Sequence, residues 1–164
     1  MATRQKTNRF TVEQTVTWMA LLGFVPFAFL TTLLLVDPGL IADAGASAAR
    51  MAAGVVVALK VYSAIVLSFI GGIRWGIAIM QNEGGEAENE TLVFAAGPAL
   101  FGWFAFFLGE PWSFAVFAAA FAATGWWDSR SAGNKGVPEW FGRLRLLLTA
   151  LVMVTMVGAF ATTF

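Results

Sequence analysis

The sequence predicts an all-α membrane protein, a five-transmembrane-helix bundle that forms a single transmembrane domain over residues 1–164. The first observation is composition: 59% of the residues are hydrophobic and only 12% are charged, a balance foreign to water-soluble domains. The second is that apolar segments of membrane-crossing length recur along the chain, separated by turn and loop residues. The five spans are expected at about residues 17–36, 51–80, 91–109, 112–130 and 138–164.

The first span follows a polar, basic segment and ends at Asp37-Pro38-Gly39, which is typical turn chemistry. Its apolar run is too long for the core of a signal peptide, so we interpret it as a span that stays in the protein. Residues 37–50 are expected to form a loop rich in alanine and glycine, and no soluble domain is expected beside the spans.

The second span, residues 51–80, is the longest, and its only charges are Lys60 and Arg74. One stripe of small residues recurs every four positions and predicts close packing against another helix. The stripe consists of Ala64, Ser68, Gly72 and Gly76. A neighbouring stripe carries both cations, and we expect it to face protein because a cation facing lipid is costly. This polar stripe consists of Lys60, Ser63, Leu67, Gly71 and Arg74. The alternative is that both cations snorkel to the membrane surfaces.

The later connections are also readable from the sequence. Residues 81–90 carry four glutamates and a glycine pair, so a flexible acidic loop is expected there. The very short Glu110-Pro111 connection predicts that spans three and four form a tight antiparallel hairpin. Pro138 is expected to start the last helix, with Glu139 favourable in its first turn.

The distribution of basic residues predicts the orientation of the bundle. An N-terminus inside and a C-terminus outside would leave Arg50 as the only basic residue of the outer loops. The inner side would then carry Arg4, Lys6, Arg9, Arg130, Lys135, Arg143 and Arg145. Because cytoplasmic loops are enriched in basic residues, this asymmetry favours the N-inside orientation.

This orientation places the inner end of span two beside the inner end of span four. Arg74 and Asp128 then lie at similar depth, and Asp128 is the expected carboxylate partner of Arg74. The tryptophans near them should share the interfacial layer. The candidate intramembrane polar site therefore consists of Lys60, Ser63, Arg74 and Asp128.

The composition excludes several kinds of chemistry. The chain has no cysteine and no histidine, so it lacks disulfides, thiolate sites, the commonest metal ligand and the usual axial ligand of haem. Ten basic and ten acidic residues cancel, so no basic field attracts nucleic acid. We expect no catalytic residues, no metal and no cofactor.

Two kinds of lysine chemistry lack the residues they would need. Ser63 and Ser68 lack a histidine base, and Lys60 offers only a remote Ser–Lys pairing. A retinal-type Schiff base at Lys60 lacks a carboxylate counter-ion inside a span.

Three segments carry a resemblance to a known family. They read LSFIGGIRWGIAIM in span two, GPALFGW in span three and WWDSRSAGNKGVPEWFGRLRLLLTALV near the end. Over most of residues 15–160 the chain resembles the small five-span membrane proteins of unknown function that include mitochondrial transmembrane protein 69. The resemblance implies an inner-membrane location, for bacterial members the bacterial inner membrane, and a link to energy-converting membranes. It implies no catalytic residues.

Two functional interpretations remain open. The first is a non-enzymatic accessory or assembly subunit that packs against other membrane proteins or against a second copy of itself, among membrane lipids. The alternative is a small channel or transporter for an anion or small solute, lined by Lys60 and Arg74 with Ser63 between them.

Overall fold

The computed structural model describes residues 11–36, 46–80, 86–131 and 138–164, and all regular structure within them is α-helical. The predicted all-α architecture with five helices is therefore confirmed in this part of the chain. The helices are α1 (Val12–Leu35), α2 (Ala46–Met80), α3 (Glu86–Phe107), α4 (Trp112–Ser131) and α5 (Glu139–Thr163).

Three of these helices are long and apolar enough to cross a membrane by length and composition, namely α1, α5 and residues Ala49–Met80 of α2. Helix α3 contributes a shorter apolar segment, Thr91–Phe107. Helix α2 has 35 residues, which corresponds to about 52 Å, well beyond the ~30 Å hydrocarbon core of a bilayer.

Helices α1, α2 and α3 begin earlier than the sequence predicted. Helix α1 starts at Val12 because Thr11 and Gln14 form a reciprocal capping box, each side chain bonding the backbone of the other. Helix α2 starts at Ala46, so the expected loop over residues 37–50 is wrong for its last five residues. Residues 37–45 lie outside the described part of the chain.

The predicted irregular acidic loop is also partly wrong. Residues 81–85 lie outside the described part, but residues 86–90 form the first turns of α3. Glutamate and alanine are good helix formers, and carboxylates are favourable near a helix N-terminus, which outweighs their mutual repulsion. The predicted connections at Glu110-Pro111 and Pro138 do separate α3 from α4 and precede α5.

The helices pack around a core rich in aromatic side chains. Helix α2 packs mainly on α3, α4 packs mainly on α5, and α1 contacts both α2 and α5. The ring of Phe27 on α1 meets Tyr62 of α2 and Phe121 of α4 edge-on, with centroids 5.0 and 5.7 Å apart. Phe114 and Phe117 of α4 are fully buried beside them. These contacts hold three helices on one core.

The small-residue stripe on α2 is only partly used inside the bundle. Gly72 and Gly76 are exposed, and within the described residues no group beyond the local backbone of α2 lies within 4 Å of the position that a Cβ would occupy. The prediction that they contact another helix of this chain is therefore wrong. The close approach occurs at Gly71, where an added Cβ would lie 2.7 Å from the Ala95 carbonyl oxygen of α3. At the start of the stripe, Ala64 does pack on Gly102 of α3.

The reason lies in the neighbouring polar stripe. Lys60, Ser63 and Gly71 are all buried, and they lie on the α2 side that faces α3 and α4. One residue turns a helix by about 100°, so burying Gly71 carries Gly72 toward the surface. Helix α2 therefore faces its cations toward the bundle and leaves Ser68, Gly72 and Gly76 of the small-residue stripe exposed.

Candidate functional site

Two groups of paired charges lie at different levels of α2, one near its middle and one near its C-terminal end. Lys60 and Arg74 are 14 residues apart, or about 21 Å along the helix axis. Lys60 meets the connection between α3 and α4, whereas Arg74 meets the last turns of α4 and the first turns of α5. The structure therefore does not bring the two cations together.

We call Arg74, Asp128 and Arg145 the Asp128 cluster. Asp128 near the end of α4 is only 4% exposed, and each of its carboxylate oxygens accepts a hydrogen bond from a different arginine. The Nε atom of Arg74 donates to Oδ1 and the Nε atom of Arg145 donates to Oδ2, both at 2.5 Å. One carboxylate thus joins α2, α4 and α5, as predicted for Arg74 and Asp128 at similar depth.

A tryptophan ring lies against the Asp128 cluster, and further tryptophans lie near it in the chain. The guanidinium carbon of Arg74 lies 5.0 Å from the ring centroid of Trp127, within range of a cation–π contact. Trp75 donates from its indole nitrogen to the Leu92 carbonyl oxygen of α3 at 2.8 Å. Outside the cluster, Arg130 stacks over Trp126 at 4.2 Å. This concentration of tryptophan and arginine is typical of a membrane–water interface.

The sequence analysis missed Arg145 as a member of the cluster. It assigned this arginine only to the basic inner surface, together with Arg143. A usable signal was depth: Arg145 lies six residues after the start of α5, and Arg74 lies six residues before the end of α2. Helices that run in opposite directions therefore place the two arginines at the same level.

Lys60 is 7% exposed and is held by the end of α3. Its Nζ atom donates to the Leu108 carbonyl oxygen and to Glu110 Oε1, both at 2.8 Å, and lies 5.7 Å from the ring centroid of Phe106. Carbonyl groups at a helix C-terminus lack intrahelical donors, and the helix dipole favours a cation there. The ammonium group of Lys60 thus finds hydrogen-bond acceptors within the protein.

Glu110 is the partner of Lys60 that the sequence analysis did not identify. It is the only acidic residue between spans three and four, and that was the available signal. The hydrogen bond from Lys60 lowers the pKa of Glu110 below its usual value of 4.5, against the opposing effect of partial burial. The carboxylate therefore stays ionised opposite the ammonium group.

The serine hydroxyls of α2 are occupied within their own helix. Buried Ser63 donates to the Leu59 carbonyl oxygen at 2.7 Å, and Ser68 donates to the Ala64 carbonyl oxygen at 2.9 Å. Neither geometry prepares a nucleophile beside Lys60, whose ammonium group binds Glu110 instead. In the described residues, no three acidic side chains converge on a site suited to a metal ion.

The fold and these paired charges define a helical membrane protein whose buried charged groups are paired with one another inside the bundle. Within that class, the chain belongs to the DUF3429 family, described as proteins of unknown function, whose family model matches residues 12–161. The resemblance found in the sequence is thereby confirmed.

Two relatives carry the name transmembrane protein 69. The protein from Xenopus tropicalis is 31% identical over 98 residues, which cover 60% of this chain and 39% of that protein. The protein from Mus musculus is 26% identical over 96 residues, which cover 58% of this chain and 39% of that protein. The matches thus span about two fifths of the length of these relatives. No solved structure matches the chain.

Proposed function

We propose that this chain is a non-enzymatic accessory or assembly subunit that packs against other membrane proteins. The observation behind the proposal is the outward face of α2, where Ser68, Gly72 and Gly76 are exposed at four-residue spacing. Small side chains in this pattern let another helix approach closely, and such contacts drive association where lipid already solvates apolar surfaces. The Ser68 hydroxyl is bonded within α2, so a partner need not satisfy it.

The proposed setting is a bacterial inner membrane, in an energy-converting complex. The resemblance to a family with a mitochondrial member supports that setting. The proposed topology has five spans with the N-terminus inside and the C-terminus outside. Helices α3 and α4 have 22 and 20 residues, or about 33 and 30 Å, which is comparable to the hydrocarbon core of a bilayer, although the apolar part of α3 is limited to Thr91–Phe107. The basic residues favour the N-inside orientation.

The pairing of Lys60 and Arg74 with carboxylates argues against the channel alternative. A channel lined by Lys60 and Arg74 needs cations that are available to a passing anion. Lys60 instead binds Glu110 and the end of α3, and Arg74 binds Asp128. With about 21 Å between them, the two cations belong to separate groups of side chains.

Copurification tests the proposal. The native protein, extracted in mild detergent, should carry a defined membrane-protein partner or a second copy of the chain. Gly72→Leu places a bulky side chain on the exposed stripe and should abolish that association while the protein stays folded. Ala150→Leu, at an exposed position of α5, enlarges a side chain elsewhere on the surface and should leave the association intact.

Reconstitution of the pure protein into liposomes provides the opposing result. The accessory-subunit proposal expects no ion or solute flux above that of empty liposomes. Flux that Lys60→Met abolishes, from a protein without any stable partner, would replace the proposal with the channel.

A further inference from the structure

Helix α1 carries a proline inside it, and a tyrosine of α2 contacts the backbone beside that proline. Pro26 has no backbone N–H, so the carbonyl group of Leu22, four residues earlier, loses its usual donor within the helix. The hydroxyl of Tyr62 donates to the next carbonyl oxygen, that of Gly23, at 2.7 Å. Membrane helices tolerate proline where a neighbouring helix supplies donors to the disturbed backbone, and Tyr62 supplies one here.

The part of α1 after Pro26 is anchored in the bundle. Both buried residues of α1, Phe27 and Thr31, lie in this second half. The ring of Phe27 meets aromatic rings of α2 and α4. The methyl group of Thr31 lies against Gly158 of α5, only 3.2 Å from the position that an added Cβ would occupy. Residues 27–35 are therefore held by three other helices.

The part of α1 before Pro26 is held less firmly. Residues 12–25, all of which the structure describes, include no buried residue. The large apolar side chains on their outward side are between 54% and 77% exposed, namely Val12, Trp18, Met19, Leu22 and Val25. The reciprocal capping box at Thr11 and Gln14 secures the start of this segment as a helix. The first half is thus one helical unit of about 21 Å, joined to α2 by the Tyr62 hydrogen bond.

We propose that α1 is hinged at Pro26 and that the Tyr62 hydroxyl is the latch of its first half. While the bond to Gly23 is made, residues 12–25 stay on the bundle. When it breaks, they swing outward as one arm, and residues 27–35 remain in place. A swing of about 20°, the size of an ordinary proline kink, moves the end of the arm by about 7 Å. The swing opens the side of the bundle beside Tyr62. This inference does not depend on the proposed accessory role.

Distances between pairs of spin labels measure the swing in the protein reconstituted into liposomes, and the chain has no native cysteine to remove. Met19→Cys with Leu146→Cys reports the first half of α1 against α5, at two exposed positions. Phe29→Cys with Val157→Cys reports the second half in the same way. The first pair should show a minor component at longer distance that the second pair lacks.

Tyr62→Phe keeps the aromatic ring and removes the latch. It should raise the long-distance fraction of the first pair about threefold, the effect expected for one interhelical hydrogen bond in a membrane. The second pair should not change. Ser68→Ala is the matched control, because it also removes one hydroxyl from α2, where the serine donates to the Ala64 carbonyl oxygen of its own helix. Both pairs should keep their distances in this control.

Pro26→Ala tests the hinge itself. It restores the missing N–H and should remove the long-distance component of the first pair, because α1 becomes a continuous helix. In this background Tyr62→Phe should have no further effect on the first pair. Pro26→Ala decides the matter if Tyr62→Phe alone fails to fold.

The hinge is refuted by any of four results. An unchanged first pair in Tyr62→Phe would show that the hydroxyl does not hold α1. Equal changes in the two pairs would show loosening of the whole helix. An effect of Tyr62→Phe that persists beside Pro26→Ala would place the motion away from the proline, as would a first pair that Pro26→Ala leaves unaltered.

Discussion

Asp128 is the carboxylate that two arginines share, so loss of its charge should destabilise the bundle. Asp128→Asn leaves Arg74 and Arg145 close together without their shared carboxylate, in side chains that are only 12% and 13% exposed. Removing one partner from a buried ion pair costs about 3–5 kcal/mol, so the unfolding free energy in detergent should fall by about that amount. Thermal or denaturant unfolding measures it.

The matched control is Glu139→Gln. This change breaks a surface pair with Arg143, whose atoms are 3.5 Å apart and whose side chains are mostly exposed. Exposed pairs contribute at most about 1 kcal/mol. If the two variants were equally stable, the Asp128 cluster would not hold the helices together.

Acid stability at the residue scale should depend on Glu110. Its folded-state pKa is lowered by the hydrogen bond from Lys60, below the usual value of 4.5. The stabilisation is therefore complete above pH 4.5 and is lost as the pH falls from there through the lower folded-state pKa. The unfolding midpoint should drop in that window, and Glu110→Gln should lessen the drop. An unchanged acid profile in this variant would contradict the pairing.

Gly71 and Gly72 are neighbours on α2, but the space around them differs. A side chain at Gly71 would collide with the α3 backbone, whereas one at Gly72 would meet open space. Gly71→Ala should therefore destabilise the bundle by about 1–3 kcal/mol through overpacking. Gly72→Ala should be neutral or stabilising by up to about 1 kcal/mol, because alanine is the better helix former. Unfolding of the two variants in the same detergent compares them directly, and a Gly71→Ala protein as stable as the parent would refute the close contact.

The same pair of glycines shows where prediction from the sequence stops. The stripe through Gly72 and the stripe through Gly71 are adjacent and both contain small residues, so periodicity alone cannot choose between them. The choice depends on which face meets Ala95 on α3, and that is a tertiary contact. Pro111 and Pro138, by contrast, mark the starts of α4 and α5 by local chemistry, and those starts were predicted closely.

The two ion pairs of α2 also differ in whether the sequence predicts them. Arg74 and Asp128 were predicted together because residue counting places both near the inner helix ends. Lys60 found its partner outside the spans, at Glu110, because the end of α3 brings an ionised carboxylate and a free carbonyl group to it. The partner of Lys60 therefore cannot be predicted from the apolar segments alone.

The whole molecule is expected to insert with its Asp128 cluster on the inner side. Seven basic residues lie on that side in the N-inside topology and one on the other, which is the asymmetry that retains short loops in the cytoplasm. Reporter fusions after Arg9 and after Phe164 should report opposite sides, because an odd number of spans separates them. Both reporters on one side would overturn the five-span topology.

The absence of cysteine allows an independent measurement of the same topology. A single cysteine at Gly109, in the exposed connection between α3 and α4, should react with a membrane-impermeant thiol reagent applied to intact cells. A single cysteine at Lys135 should react only after the membrane is permeabilised. The parent chain has no thiol, so it supplies a label-free background in both conditions. The reverse pattern of labelling would keep five spans but invert the bundle, and would place the Asp128 cluster in the outer leaflet.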